Sequence, residues 1–253
     1  MNTLFACVKL LHALVHVLIG FLTILLMFGR LTDEQRAQRT QVWSLQMLGH
    51  LGIELRVVGQ PAVAGPVMLV ANHISWLDIT SLHAARFCRF VSKSELLGWP
   101  VIGKLASGVG TLFVERASRR DAMRVVRHMA DRLRAGDVLA VFPEGTTSDG
   151  TTLLPFHANM FEAAIAADAP VQPVAMQFID RVTGQLSLAP CYINDDTLIG
   201  SVWRTVVTPN IAVQITFGPL QSANGRARRE WAKQVRLDIE ALRRPGNSDE
   251  PAA

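Results

Sequence analysis

The sequence has few cysteines and lacks the signatures of several enzyme classes. Its three cysteines, Cys7, Cys88 and Cys191, are widely separated and form no Cys-x-x-Cys pair, which indicates neither a disulfide framework nor a thiolate zinc site. The chain also has no Gly-x-Ser-x-Gly segment, the turn that carries the nucleophile of many serine hydrolases. We therefore expect a domain in a reducing, cytosol-facing environment, and the sequence argues against a serine hydrolase.

Charged residues are also scarce. They make up 18% of the 253 residues, against 49% hydrophobic residues, so the chain can bury a substantial core. The formal net charge is +4, with one tyrosine and no basic run longer than three residues. This composition fits an anionic partner, but without a recognisable binding motif it argues against nucleic acid. Because a strongly apolar segment accompanies the positive charge, we expect the partner to be an anionic lipid surface.

That apolar segment lies at the N-terminus. Residues 4–28 are nearly all apolar, a length sufficient to cross a bilayer core or to lie in one leaflet. The exceptions recur at steps of three or four and so share one helical face: Lys9, His12, His16, Gly20 and Thr23. Such a stripe indicates a helix that packs on a partner helix or lies in an interface, rather than a plain anchor. The two histidines have the spacing of metal ligands, but no further ligand type lies nearby, so we expect no metal.

A second helix is predicted to follow the first. Thr32-Asp33-Glu34-Gln35 has the spacing of a capping box, and the two helices would form a membrane-docking hairpin over residues 1–55. A cleavable signal peptide is not expected, because the apolar stretch is too long and no Ala-x-Ala site follows it. The remaining chain divides into a globular domain at 56–244 and a polar tail at 245–253 that we expect to be disordered.

Short apolar runs alternate with helical patterns from Pro66 onward. This alternation is typical of βαβ units, and it predicts an α/β fold with a mostly parallel central sheet flanked by helices. Helices are predicted near 118–134 and 226–243. The predicted strands cover residues 67–71, 88–92, 111–114, 138–142, 171–178 and 211–217.

The most informative segment, Ala71-Asn72-His73-Ile74-Ser75-Trp76-Leu77-Asp78, follows the first of these strands. It places an imidazole and a carboxylate where a strand leads into a helix, which is where ligands bind in open α/β sheets. Five residues of a regular helix turn through about 140°, so two side chains that far apart on a helix would not face each other. We therefore predict His73 in the turn before the helix, capped by Ser75 or Asn72, with Asp78 about one turn in and reaching back to the ring. Such a pair can act as a general base near neutral pH.

Three further segments place polar residues at or near the ends of predicted strands. One leads to Arg116, a second turns sharply after Glu144, and a third, Val171-Gln172-Pro173-Val174, has a proline that predicts an edge strand or a strand end. Taken singly, Arg116 fits a solvated helix start and Glu144 fits ordinary turn chemistry. Taken together, they place a base, a cation and a carboxylate around one crevice at the carboxyl edge of the sheet.

These segments resemble, in order and spacing, the four motifs of the glycerolipid acyltransferases, the lysophosphatidic acid acyltransferase group. The segment from His73 to Asp78 matches the family's His-x4-Asp motif. Phe113-Val114-Glu115-Arg116, Phe142-Pro143-Glu144-Gly145-Thr146 and Val171-Gln172-Pro173-Val174 are similar to the second, third and fourth motifs. Lys93-Ser94-Glu95-Leu96, with Pro100 and Gly103, resembles a connecting block. The resemblance covers roughly residues 66 to 178.

The resemblance implies acyl transfer from a thioester, acyl-CoA or acyl-carrier protein, to the hydroxyl of a lysolipid, without a cofactor. The acceptor it favours is 1-acyl-sn-glycerol-3-phosphate, which would give phosphatidic acid at the cytosolic face of the inner membrane. In this reaction His73 would take the proton from the hydroxyl, while Asp78 holds the ring and stabilises the imidazolium.

The resemblance also implies roles for the other motif residues. Lys93 and Arg116 would bind the anionic head group through charge-assisted hydrogen bonds. Glu144 would accept a hydrogen bond from the acceptor, and Gly145 and Thr146 would shape the turn around it. These assignments concern binding and do not require a covalent acyl-enzyme.

One position departs from the family's pattern. The third motif commonly continues with an arginine where this chain has Thr147, and a neutral hydroxyl cannot form a bidentate phosphate clamp. Lyso-ornithine lipid and other lysolipids therefore stay open as acceptors. A non-catalytic lipid-binding module at the membrane also stays open, and it predicts that replacing His73 leaves function intact.

Overall fold

Apolar runs at the predicted positions form most of a seven-stranded sheet in the computed structural model, which describes residues 3–114 and 119–244. The strand order is β1-β7-β6-β2-β5-β3-β4, and every pairing is parallel except that between β6 and β7. This confirms the mostly parallel α/β fold. The strands are β1 (Glu54–Val58), β2 (Val67–Ala71), β3 (Arg89–Lys93), β4 (Leu112–Val114), β5 (Val138–Val141), β6 (Val171–Asp180) and β7 (Ile211–Phe217).

Helices cover both faces of the sheet. Alternate residues of β2 enter different cores, because successive strand side chains point to opposite faces: Leu69 packs with residues of α2 and α3, and Met68 packs with residues of α5, α6 and α8. The helices are α1 (Thr3–Leu26), α2 (Asp33–Leu51), α3 (Leu77–Ala85), α4 (Ile102–Gly108), α5 (Arg119–Arg134), α6 (Phe161–Ala167), α7 (Leu198–Val207) and α8 (Arg228–Leu242). Short 3-10 helices lie at Phe28–Arg30, Ser94–Gly98 and Ala158–Met160.

Of the two alternatives predicted for Pro173, the edge strand is wrong, and the strand end agrees with the structure. Pro173 lies near the start of β6, which runs between β2 and β7. The ladder between β6 and β7 begins only at Val174, opposite Phe217, and beyond it Gly218 N donates to the carbonyl of Pro173 (2.8 Å). The missing N–H of proline leaves this pair with one of its two backbone bonds, and Gln172 Nε2 donates to the carbonyl of Gly218 instead (2.9 Å).

The N-terminal helices form the predicted pair. The ring of His16 on α1 stacks on Trp43 of α2, with ring centroids 4.9 Å apart, and Trp43 Nε1 donates to the carbonyl of His16 (3.1 Å). A side chain at Gly20 would collide with the same indole, so the polar stripe is the packing face of α1. The capping box also forms: Thr32 Oγ1 accepts from Gln35 N (3.3 Å), and Gln35 Oε1 accepts from Thr32 N (3.0 Å).

Helix α1 also packs on the rest of the domain near both of its ends. Lys9 Nζ lies 3.5 Å from the carbonyl of Val206 in α7, and the side chain of Ile24 fits against Gly108 in α4. The opposite face exposes a row of large apolar side chains, and α1 is long and apolar enough to cross a membrane by length and composition. The division at residue 55 stays a prediction, and the tail 245–253 lies outside the described residues.

Candidate active site

The turn between β2 and α3 brings His73 and Asp78 into contact. Helix α3 begins at Leu77, so Asp78 lies in its first turn and points back over the residues before the helix. Its Oδ2 accepts three hydrogen bonds, from His73 Nδ1 (2.7 Å), Ile74 N (2.6 Å) and Ser75 N (2.9 Å). The carboxylate is fully buried, whereas the imidazole is 21% exposed. Among residues 3–114 and 119–244, no described hydrogen bond involves His73 Nε2.

The residues predicted to cap α3 act differently from one another. Ser75 Oγ accepts from Leu77 N (3.2 Å) and donates to the carbonyl of Pro190 (2.5 Å). Asn72 is not a cap: its Nδ2 donates to the carbonyl of Met176 (3.0 Å), and its Oδ1 accepts from Met176 N (2.8 Å). Asn72 therefore continues the hydrogen bonding between β2 and β6 beyond the end of β2.

A phenylalanine fixes the plane of the imidazole. The ring of Phe142, directly after β5, stacks on His73 with centroids 4.1 Å apart and an interplanar angle of 9°. Asp78 accepts from Nδ1 of this ring and Phe142 covers one of its faces, so the imidazole has few alternative orientations. The resemblance included Phe142 in a motif, but the sequence alone indicated no contact with His73.

The buried carboxylate of Glu144 supports the backbone of this turn. Its Oε1 accepts from His73 N (2.8 Å) and its Oε2 accepts from Leu154 N (2.8 Å). Burial raises the pKa of Glu144, and the two backbone donors oppose that shift. Ser148 N also donates to the carbonyl of His73 (2.9 Å), so one loop holds His73 from both sides. The geometry thus favours a positioning role for Glu144 over the predicted contact with the acceptor.

The rest of this loop contains the other predicted turn residues. Gly145 has a φ of +73°, a left-handed conformation that favours glycine, and Thr146 is exposed. Thr147 is half-buried, and its Oγ1 donates to the carbonyl of Tyr192. Tyr192 N in turn donates to the carbonyl of Ile74 (3.1 Å). Thr147 therefore ties the loop to the segment around residue 192, a support that sequence patterns did not indicate.

Of the two predicted head-group cations, Lys93 lies in the described part of the chain, at the same edge of the sheet. Lys93 ends β3 with an exposed side chain, and its Cα is paired with that of Val114 on β4. No described hydrogen bond or ion pair joins Lys93 to the His73–Asp78 pair. Arg116, two residues beyond Val114, lies outside the described residues. The strand order β2-β5-β3-β4 places the His73 turn, the Glu144 loop and Lys93 in sequence along the carboxyl edge.

Comparisons with known proteins identify relatives of this chain. Residues 54–177 match the family model described as Acyltransferase, a range that includes every predicted site residue. The chain is 35% identical to a lyso-ornithine lipid O-acyltransferase of Pseudomonas aeruginosa over 204 residues, which cover 81% of this chain and 78% of that protein. It is 39% identical to a 1-acyl-sn-glycerol-3-phosphate acyltransferase of Neisseria gonorrhoeae over 169 residues, which cover 66% and 64% of the two chains.

The match therefore spans slightly less than two thirds of the Neisseria protein's length. Among solved structures, the fold is similar to that of the 1-acyl-sn-glycerophosphate (LPA) acyltransferase from Thermotoga maritima, with a TM-score of 0.68 and 20% sequence identity. The alignment covers 100% of this chain and 98% of that one.

Proposed function

The chain belongs to the acyltransferase family, and we propose that it transfers an acyl group from an acyl thioester to the free hydroxyl of a lysophospholipid. The observation that carries this proposal is the geometry of His73: its Nδ1 is held by a buried carboxylate, and its Nε2 is unpartnered within the described residues. An imidazole held in this way can remove a proton from a hydroxyl at the open nitrogen.

In the proposed reaction His73 Nε2 accepts the proton of the acceptor hydroxyl as its oxygen bonds to the thioester carbonyl carbon. The carbon–sulfur bond then breaks, and the leaving thiolate takes the proton from His73. Asp78 keeps the proton of the neutral ring on Nδ1 and stabilises the transient imidazolium. A thioester already has a good leaving group, so the proposal needs no covalent acyl-enzyme and no cofactor beyond acyl-CoA or acyl-carrier protein as co-substrate.

We favour 1-acyl-sn-glycerol-3-phosphate as the acceptor, with phosphatidic acid as the product. Lys93 at the carboxyl edge supports this choice, because a cation suits an anionic head group, and Arg116 is the second predicted cation. The named activity of the Neisseria relative agrees with it.

A second acceptor, lyso-ornithine lipid, is favoured by a specific observation. The hydroxyl of Thr147 is engaged with the carbonyl of Tyr192, so the loop after Glu144 offers no phosphate clamp at this position. The named activity of the Pseudomonas relative agrees with this alternative.

We further propose that α1 lies in one leaflet of the membrane, with the active site facing the cytosol. The domain packs on α1 near Lys9 and again near Ile24. If α1 crossed the bilayer, α7 and α4 would have to enter it at different depths. A helix lying in one leaflet avoids this, with its exposed apolar face toward the acyl chains.

The test measures transfer of a labelled acyl group from acyl-CoA and from acyl-carrier protein to a panel of lysolipids. Wild-type protein is compared with His73→Ala and, as a matched control, with His128→Ala, whose exposed ring on α5 lies outside the site. Transfer that is lost only in His73→Ala supports the mechanism, and the acceptor used decides between the two lysolipids. Equal transfer by His73→Ala would show that His73 is not the base and would contradict the proposed mechanism, whereas no transfer by the wild-type protein to any lysolipid of the panel would favour the non-catalytic lipid-binding module.

A further inference from the structure

We infer that the protein has a second membrane-inserting surface beside α1, formed by four apolar side chains that we call the 97–102 patch: Leu97, Trp99, Val101 and Ile102. Between 39% and 51% of each residue's surface is exposed. A monomeric soluble domain seldom concentrates such side chains in a six-residue stretch, and an exposed cluster of this kind marks a contact surface.

The local backbone explains why these side chains point outward. The patch begins in the 3-10 helix Ser94–Gly98, which has no buried residue, and continues into the first turn of α4. The two elements fold tightly on each other at Gly103, where a Cβ atom would lie 2.7 Å from the carbonyl oxygen of Leu97. The backbones therefore occupy the inner side of this corner, and the apolar side chains are left on its outer side.

The patch ends in the first turn of α4, the helix that packs against the C-terminal part of α1. Helix α4 ends at Gly108, and a Cβ atom there would lie 2.6 Å from Ile24 Cγ2, so the two helices are in direct contact. Beside Ile24, α1 exposes Leu22, Leu25 and Leu26. Because α1 is proposed to lie in one leaflet, its contact with α4 points to the same lipid as the partner of the patch.

The chemistry of the patch also fits the region between acyl chains and head groups. Trp99 has the amphipathic ring that is enriched at membrane interfaces. Exposed Lys93 and Lys104 flank the patch and would meet anionic head groups, with Glu95 as the one carboxylate between them. An inserted 97–102 patch would bring Lys93 to the head-group plane, a consequence that rests on the proposed function.

The first experiment measures the membrane depth of a spin label at residue 101. The background is Cys7→Ser, which removes the exposed cysteine and leaves Cys88 and Cys191, both buried. Labels are attached after Val101→Cys and, as a matched control, after Val63→Cys, whose native valine is 93% exposed before β2, at the opposite end of that strand from His73. The protein is bound to vesicles of phosphatidylethanolamine and phosphatidylglycerol, and collision rates with oxygen and with a water-soluble nickel chelate are compared.

We expect the label at 101 to collide mainly with oxygen and the label at 63 mainly with the nickel chelate. Equal access of the chelate to both labels would overturn the inference. A dipolar coupling between labels at 101 on two chains, lost when labelled protein is diluted with unlabelled protein, would assign the patch to a second copy and would also overturn it.

A second measurement separates the patch from the chemistry. Trp99→Ser combined with Ile102→Ser should lower acyl transfer to a bilayer-embedded lysolipid by about tenfold or more, because apolar contact with lipid is lost. Transfer to a short-chain, water-dispersed acceptor should stay at the wild-type rate, and a loss there would count against the inference. Since label depth does not depend on turnover, an inactive protein with an inserted label would refute the proposed function and leave the inference standing.

Discussion

Helix α3 has an imidazole near each end, and both rings contact phenylalanine. Before its start, His73 stacks on Phe142 and binds the buried carboxylate of Asp78. Near its end, the buried ring of His83 lies with its centroid 5.0 Å from that of Phe90, and neither of its nitrogens has a hydrogen-bond partner among the described residues. Phe90 and Phe142 are themselves stacked, with centroids 5.6 Å apart, so a row of rings joins the two histidines.

The two histidines differ in what surrounds their nitrogens. Burial lowers the pKa of His83 to about 4, so its ring is neutral at physiological pH and has no group with which to exchange a proton. His73 has a carboxylate on one nitrogen and an open side at the other. The arrangement of polar partners therefore distinguishes a candidate base from a core histidine, and burial against aromatic rings does not.

The largest loss of activity is expected when the negative charge beside His73 is removed. Asp78→Asn keeps the size of the side chain but replaces the carboxylate that accepts from Nδ1, Ile74 N and Ser75 N. We expect the rate of acyl transfer to fall by about 10³-fold or more, because the ring loses the negative charge that stabilises its cationic form. The rate is measured with saturating thioester and acceptor.

Asp131→Asn serves as the control for this change, since it alters an exposed aspartate on α5. It should leave the rate within about twofold of wild type, as expected for an exposed pair worth little energy. If Asp78→Asn retained most of its activity, the carboxylate would have no catalytic part and the contrast with His83 would lose its meaning.

The next change tests how the backbone of His73 is held. In Glu144→Gln one carboxylate oxygen becomes an NH₂ group, which cannot accept from His73 N or Leu154 N. An unsatisfied buried donor costs about 1–3 kcal/mol, so we expect kcat to fall by roughly 5- to 150-fold, if the loss is expressed in the transition state. A positioning role predicts that KM for the acceptor stays near its wild-type value.

This measurement separates two roles for Glu144. If KM for the acceptor rose by a similar factor while kcat stayed constant, the carboxylate would contact the acceptor, as the family resemblance implies. Glu162→Gln is the matched control, because Glu162 forms a surface ion pair with Arg228 and should affect neither constant.

The parts of the site that sequence reasoning predicted are local ones. His73 and Asp78 are five residues apart in a strand–turn–helix segment, and because a regular helix would turn them about 140° apart, the local pattern places His73 in the turn with Asp78 reaching back from the helix. The support from Glu144 depends instead on the alignment of two strands: Val70 of β2 pairs with Val141 of β5, and His73 and Glu144 each lie three residues beyond. One chain's pattern does not reveal such a register.

The fold shows the same division between local and long-range information. The apolar strands β2 and β7 begin and end as predicted, but β1 was missed, because no residue of this edge strand is buried. Helix α7 was also missed. The supporting carbonyls of Pro190 and Tyr192 belong to an irregular segment, which has no periodicity for sequence reasoning to detect.

A smaller effect is expected from the ring that lies on His73. Phe142→Leu keeps an apolar side chain but removes the stacked face. An aromatic pair contributes about 0.5–1.5 kcal/mol beyond its buried area, so we expect kcat to fall by about 2- to 12-fold. Phe156→Leu is the control, since Phe156 lies on the core at the other face of the sheet. An unchanged kcat in Phe142→Leu would show that Asp78 alone orients the imidazole.

The smallest effect on activity is expected at the other end of the row, where His83→Phe removes two nitrogens that have no partner among the described residues. Activity should stay within about twofold of wild type, because His73 keeps all of its contacts. The effect appears instead in the pH dependence of stability. The pKa of His83 is about 4 in the folded protein and about 6.5 in an unfolded chain.

Between these two pH values the unfolded wild-type chain binds a proton that the folded protein does not. Stability is therefore fully present above about pH 6.5 and is lost as the pH falls toward 4, by about 3 kcal/mol from this group. The free energy of unfolding is measured in detergent micelles at pH 7 and near pH 4 for both proteins, and the wild-type loss should exceed that of His83→Phe by this amount. Parallel pH dependence in the two proteins would mean that His83 gains a proton or a partner in the folded state. The histidines at the two ends of α3 would then both have polar partners, and the contrast between them would not hold.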